Sequence, residues 1–297
     1  MTTKTPEAKS EFGSLESVLV TTSDEVTFTV RFLLAEQADA PVVLIIPAMA
    51  MKARNYLALA KALHAQGLSV ATCDLRAHGE AVPALGEHKD FGYREMLEID
   101  MPALVGAVHD RFPQAPVYLF GHSIGGQLAL LFASAEADRV AGVVTIGTGT
   151  VFWYAFGPRR WWEALSQIQW IGMVSRVKGH WPGGVLIPAP MPGGVMIDWS
   201  WHSLTSYYRP KGSKRRYNTL LARLTLPVLP ISLSEDVLGP KSNVDFLASR
   251  MRRARLSRWH IDENSAVANR DHFMWIKDSA TIAPAVARWI TTGAAPA

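Results

Sequence analysis

The sequence predicts an α/β fold, a mostly parallel, doubly wound sheet flanked by helices and interrupted by one aromatic-rich insertion. Three observations carry that expectation. Apolar runs of strand length alternate with segments of helical periodicity over residues 42–146, and the alternation resumes at about residue 226. Between one such run and one such segment stands Gly121-His122-Ser123-Ile124-Gly125-Gly126, a serine at the apex of a glycine-rich turn. From 151 to 218 the alternation lapses, and seven of the ten tryptophans fall in that stretch.

Taken in order, residues 15–22 and 26–34 read as two strands around Thr22-Ser23-Asp24-Glu25, the second strictly alternating, as on a half-buried antiparallel pair. Val42-Val43-Leu44-Ile45-Ile46 is continuously apolar, which suits a central strand covered on both faces. A helix over about 52–66 ends at Gly67, and a strand over 68–73 follows, ending at Asp74. Leu97, Met101, Leu104, Val105, Val108 and Phe112 recur at helical spacing and predict a helix over 93–112, stopped by Pro113. Pro116-Val117-Tyr118-Leu119-Phe120 is the strand leading to Ser123, and 140–146 is the next. After the insertion, a strand over 226–233, a helix over 240–252, a strand over 255–261 and a helix over 280–291 complete the chain. This divides the chain into a core over 1–150, a lid or cap over 151–218 and the rest of the core over 219–297.

The bulk composition narrows the function classes. With 297 residues, 48% of them hydrophobic, the chain is long enough for a large core with a sizeable insertion. Its apolar runs are far shorter than a membrane span, so none is expected. A single cysteine, Cys73, excludes an internal disulfide. Together with a polar N-terminus lacking an apolar signal core, it points to the cytoplasm. The net charge is +4, much of the excess lying in the runs 211–216 and 250–255. No aromatic interleaving or nucleic-acid motif accompanies them, so they read as a solvated loop and a helix end, and no nucleic-acid partner is expected.

A serine hydroxyl needs a base to take its proton, and the base needs an orienting carboxylate. In a parallel sheet these groups belong at the C-terminal strand ends, where ligands bind. Asp236 stands just past the strand 226–233, with Glu235 as its neighbouring competitor. His272 lies in the loop after the last strand, whereas His260 lies within that strand. His122 adjoins the serine but is turned away from it, and His78 comes too early in the chain order. The order Ser123, Asp236, His272 is the succession of one fold and differs from the serine-protease orders. A negative charge developing on a carbonyl oxygen needs two backbone donors. The amide of Ile124, which opens the helix after Ser123, is one, and the amide of Met49, in the loop after 42–46, is the other.

On Gly121–Gly126, Asp74-Leu75-Arg76-Ala77-His78-Gly79, Asp236-Val237-Leu238-Gly239-Pro240 and the late His272, the chain resembles the α/β-hydrolase fold over about 15–292. It is most similar to lidded serine aminopeptidase-like and lysophospholipase-like bacterial hydrolases. The resemblance implies Ser123 as nucleophile, Asp236 as acid, His272 as base, Met49 and Ile124 as oxyanion donors, and a lid between the sixth and seventh strands. The chain departs from many members in carrying Pro47-Ala48 where they have His-Gly, and Ala77 where the familiar segment has glycine.

The expected activity is hydrolysis of a carboxylic ester, or a related thioester, lactone or amide, through an acyl-enzyme on Ser123. Acyl transfer by the same triad and a non-catalytic small-molecule receptor are the alternatives. No metal or organic cofactor is implied. The lid aromatics suggest a substrate with an apolar or aromatic portion, contacted by Trp153, Tyr154, Trp161, Trp162, Trp199 and Trp201. The oligomeric state is not legible.

Overall fold

A computed structural model describes residues 15–87, 90–184 and 186–296. The polar N-terminal segment lies outside them. A nine-stranded sheet forms the centre. β1 (Glu16–Thr21) and β2 (Thr27–Leu33) form an antiparallel edge pair, and β2 runs antiparallel to β4 (Ser69–Thr72). From β4 onward, β3 (Val42–Ile46), β5 (Val117–His122), β6 (Gly142–Ile146) and β9 (Pro227–Leu233) pair in parallel, in the order β4-β3-β5-β6-β9. Alternation along β2 is reproduced as alternating buried and half-buried residues, and every residue of β3 is buried.

The continuous apolar character of β3 follows from two packed faces. Val42, Leu44 and Ile46 join one core cluster, while Val43 and Ile45 join the other. The second cluster is completed by α1 (Leu57–His64) and α9 (Ser279–Thr292), which pack against one another. The first takes the helices of the opposite layer: α2 (Tyr93–Glu95), α3 (Met101–Arg111), α4 (Ile124–Ala135), α7 (Tyr217–Arg223) and α8 (Lys241–Arg250).

Two elements differ from the sequence expectation. The helix expected over 93–112 is broken by a π turn over Met96–Asp100. Pro102, two residues past its end, has no N–H to donate and crowds the preceding turn, so the backbone widens there. The strand expected over 255–261 is two short pieces, β10 (Arg255–Leu256) and β11 (Trp259–Ile261), each pairing in parallel with a different part of β9.

Between β6 and β9 the chain leaves the sheet. A 3₁₀ turn over Trp153–Phe156 leads to α5 (Trp161–Lys178), then to a small antiparallel pair of β7 (His180–Trp181) and β8 (Met191–Pro192), then to α6 (Gly193–Thr205). α5 and α6 pack on each other so closely that a Cβ on Gly172 would meet Ser200 Oγ at 2.3 Å. The excursion ends before Tyr217, because α7 packs against α4 as part of the sheet's own helical layer.

Candidate active site

The turn after β5 is held by backbone crowding. Ser123 adopts φ +53°, a conformation that L-residues avoid, and its amide donates to Ile146 O at 3.1 Å. A Cβ on Gly121 would lie 2.3 Å from Gly126 Cα, and one on Gly125 would lie 2.2 Å from Ile46 O. Strand, turn and neighbouring strand therefore pass too close for any side chain, and the serine is lifted to the C-terminal edge of the sheet.

Three sequence-selected residues meet there. His272 Nδ1 donates to Asp236 Oδ2 at 2.8 Å, and Ser123 Oγ lies 3.1 Å from His272 Nε2. Because a carboxylate only accepts, the proton sits on Nδ1, which leaves Nε2 free to accept from the serine hydroxyl. Asp236 Oδ1 accepts from the amides of Leu238 (2.9 Å) and Gly239 (2.7 Å), so the carboxylate is bound on both oxygens and cannot turn away. A Cβ on Gly147 would come within 3.0 Å of Asp236 Oδ2 and 3.2 Å of His272 Nδ1; at φ +55° glycine suits this position on both counts.

The competing groups are engaged elsewhere. Glu235 is exposed and pairs with Arg270 at 2.6 Å, while its amide donates to Arg270 O. It thereby ties the Asp236 loop to the His272 loop. His260 Nδ1 lies 2.9 Å from Ser232 Oγ beside a separate small cavity. His78 donates through Nδ1 to Arg76 O (2.8 Å) and accepts from the Ala50 amide (3.1 Å), bracing the loop after β3. Ala77, in the same segment, takes φ +60°, the conformation the familiar glycine would adopt without strain.

His122 is fully buried behind the serine in a network that no motif announces. Trp275 Nε1–H can only donate, and it reaches His122 Nε2 at 3.4 Å. That places the His122 proton on Nδ1, which donates to Tyr56 Oη at 2.7 Å. Tyr56 Oη also accepts from the Ala48 amide (2.8 Å) and turns its own hydrogen toward Met51 Sδ (3.3 Å). Burial and the neighbouring His272 hold His122 well below the usual histidine range, so it stays neutral.

This network consumes the Ala48 amide, and His78 consumes that of Ala50. Among the described residues, the Met49 amide has no acceptor, and Ile124, first in α4, has no intrahelical one. Met49 and Ile124 both line the cavity with Ser123 and His272. Two unengaged N–H groups at that spot could receive an anionic oxygen.

The cavity above Ser123 is an open cleft of about 950 Å³, mouth included. One wall is the inner face of α5, with Glu163, Ala164, Gln167 and Ile168, preceded by Arg160; another is Leu186, Ile187 and Pro188. Arg160 is pinned by a 2.7 Å bond to Val237 O across the mouth. Of the six aromatics expected to contact substrate, Trp199 alone lines the cleft. The reason is helical phase. With residues 160, 163, 164, 167 and 168 facing inward, Trp162 points to the opposite side of α5, and Trp201, two residues beyond Trp199, turns to the far side of α6; Trp161 shares the phase of Ile168 but stands first in α5, against Trp153 and outside the cleft. Trp153 and Tyr154 pack edge to face with one another, and Trp153 likewise packs on Trp161, outside the cleft. Phe156 and Phe273 line it instead, and the sequence reading passed over both. Their signal was position, one turn of helix from a lining residue or next to His272. Among the described residues, no group of three or more His, Cys, Asp or Glu is placed to hold a metal ion.

The profile of the serine aminopeptidase family (S33) matches residues 37–181. No curated protein sequence matches the chain. Among solved structures, it is similar to Est1E from Butyrivibrio proteoclasticus with ferulic acid bound: 14% identity, 92% of this chain and 98% of that one covered, TM-score 0.64. It is also similar to an esterase of Pyrococcus furiosus (17% identity, 94% and 91% covered, TM-score 0.62). A third likeness is to a thermophilic esterase of Thermogutta terrifontis with malate bound (17% identity, 93% and 98% covered, TM-score 0.61). With its parallel sheet, its serine-bearing turn after β5 and these structural likenesses over nine-tenths of its length, the chain has the α/β-hydrolase fold.

Proposed function

We propose that this protein hydrolyses carboxylic esters through an acyl-enzyme on Ser123. The observation that carries the reading is the continuous chain Asp236–His272–Ser123, at 2.8 and 3.1 Å, on the floor of a cleft that also holds two unengaged amides. In this reading His272 takes the Ser123 proton as Oγ attacks the ester carbonyl, and the oxyanion rests on the amides of Met49 and Ile124. His272 then protonates the departing alcohol and draws a proton from the water that releases the acid. Asp236 keeps the imidazole in the productive tautomer and stabilises its charged form.

Residues 151–216 act as a cap over this chemistry. The apolar wall of Val151, Phe156, Ile168, Ile187 and Trp199 favours a substrate with a hydrocarbon or aromatic portion next to the carbonyl. The similarity to Est1E with ferulic acid bound agrees with an aromatic acyl group.

The test is labelling with a fluorophosphonate probe, comparing the parent with Ser123→Ala, followed by turnover of an ester series of rising acyl length. Labelling of the parent alone, with rates that rise beyond acetate, is the expected result. Equal labelling of both proteins, or of neither, overturns the assignment of Ser123.

A further inference from the structure

The two helices of the insert do not look like a simple roof. α5 carries apolar residues on both sides. Its inner residues Ala164, Ile168, Ile171 and Gly172 are buried. Trp162, Trp170, Met173 and Val177, with Ser166 among them, occupy a stripe about 80° wide on the opposite side, at 3.6 residues per turn. Those four side chains are 65%, 56%, 49% and 82% exposed. On α6, Trp201 and Leu204 are likewise exposed, followed by Tyr207. A contiguous exposed stripe of large apolar side chains at a protein surface is anomalous unless something covers it.

Charge says what covers it. Residues 151–218 contain nine Lys and Arg against only Glu163 and Asp198, a net +7 in a chain whose total is +4. The rest of the protein is therefore net negative. Arg159 and Arg160 precede α5, Arg176 and Lys178 end it, and Arg209, Lys211, Lys214, Arg215 and Arg216 follow α6. Exposed tryptophans in a helical stripe, with cations at both ends, are the composition of a helix lying in a bilayer interface. The indole rings sit at headgroup depth and the cations meet anionic headgroups. A second copy of this chain would set the same positive surface against itself, which disfavours that occupant.

We propose that the outer face of α5 and α6 docks on an anionic phospholipid bilayer. No described helix is long and apolar enough to cross a membrane, so the attachment is peripheral. It places the roof of the cleft between the active-site floor and the lipid, so that apolar molecules leaving the bilayer meet the insert first. The docking itself stands on the exposed stripe and the charge, independently of the reaction proposed for Ser123.

The test is co-sedimentation with vesicles of phosphatidylcholine alone and of phosphatidylcholine mixed with phosphatidylglycerol, read with tryptophan emission. The parent should bind the mixed vesicles, shift its emission to the blue, and be released by high salt. Trp170→Gln with Val177→Gln should weaken that partitioning by about tenfold or more. Arg159→Gln with Lys178→Gln should weaken it several-fold on the anionic vesicles only. Both pairs lie outside the cleft, so hydrolysis of a soluble ester and the melting temperature serve as folding controls, and Val177→Gln alone repeats the test at the most exposed position. Failure of the parent to bind mixed vesicles overturns the proposal, as does binding that the Trp170/Val177 pair leaves unchanged. A concentration-dependent dimer that this pair abolishes, without vesicle binding, would overturn it in favour of self-association.

Discussion

The floor and the roof of the cleft are built on different principles. The floor is set by backbone: a strained serine, glycines in contact with neighbouring strands, and loops cross-tied by Glu235 and Arg270. The roof is set by which side of two helices faces down, and those helices carry apolar residues on both sides. Backbone crowding leaves marks in a sequence, because only glycine tolerates it. Helical phase leaves none when both faces look alike. The comparison teaches that the chemistry of such a protein is rigidly specified while its selectivity can change by rotation of a helix or exchange of a few side chains.

The sharpest way to break this contrast is at the floor. His272→Ala should lower kcat/KM on a soluble ester by about 10⁴-fold or more, with the fold intact by circular dichroism, while His260→Ala stays near the parent rate. If His260→Ala gave the larger loss, the base would have to be reassigned. Next in size is the buried phenol. Tyr56→Phe removes the acceptor for the Ala48 amide and for His122 Nδ1–H, leaving two polar groups buried without partners. A destabilisation of about 1–3 kcal/mol is expected. Because the Met49 loop would lose its anchor, kcat should fall by more than KM rises. A Tyr56→Phe protein matching the parent in both melting temperature and kcat would show the network to be idle.

At the roof, effects should be smaller and dependent on substrate. Trp199→Ala should reduce kcat/KM for long or aromatic acyl esters by about tenfold and leave acetate esters nearly unchanged, the value of a lost apolar contact. Trp161→Ala, at the start of α5 and packed on Trp153 outside the cleft, should change either by less than about twofold. Equal losses from both would mean that Trp161 contacts the substrate as Trp199 does.

The pH response should separate the two regions as well. Burial holds the His202 imidazole, stacked on Tyr208 and bonded to Thr150, down at about 3 against an ordinary 6.5. The folded state then binds fewer protons than the unfolded state. Stability from this group is fully present above about 6.5 and is lost as pH falls toward 3. Acidification through that window should lower the melting temperature of the parent more steeply than that of His202→Gln, as measured by thermal melts across the range.

How much was readable without coordinates follows the same division. The sheet could be read because β3 is continuously apolar and β2 alternates, two patterns with one structural meaning each. The meeting of Ser123, Asp236 and His272 could be sought because each follows a strand, and His260 could be set aside because it lies within one. The π turn at Met96–Asp100 escaped because the apolar spacing continues through it, and only Pro102 hints at the break. Trp153, Tyr154, Trp161, Trp162 and Trp201 were assigned to the cleft on composition alone, and composition carries no direction. The role of Tyr56 escaped for a different reason. It lies in an ordinary helical turn after β3, and its partners are a backbone amide next door and a histidine on another strand.

That single phenol oxygen has a consequence for anyone recombining this protein with its relatives. It receives hydrogen bonds from the loop after β3 and from the strand that delivers the serine, so these two segments are one heritable part. A chimera that imported a residue without a hydroxyl at 56 while keeping His122 would strand two buried donors, the Ala48 amide and His122 Nδ1–H. Segment exchange should therefore carry positions 56 and 122 together.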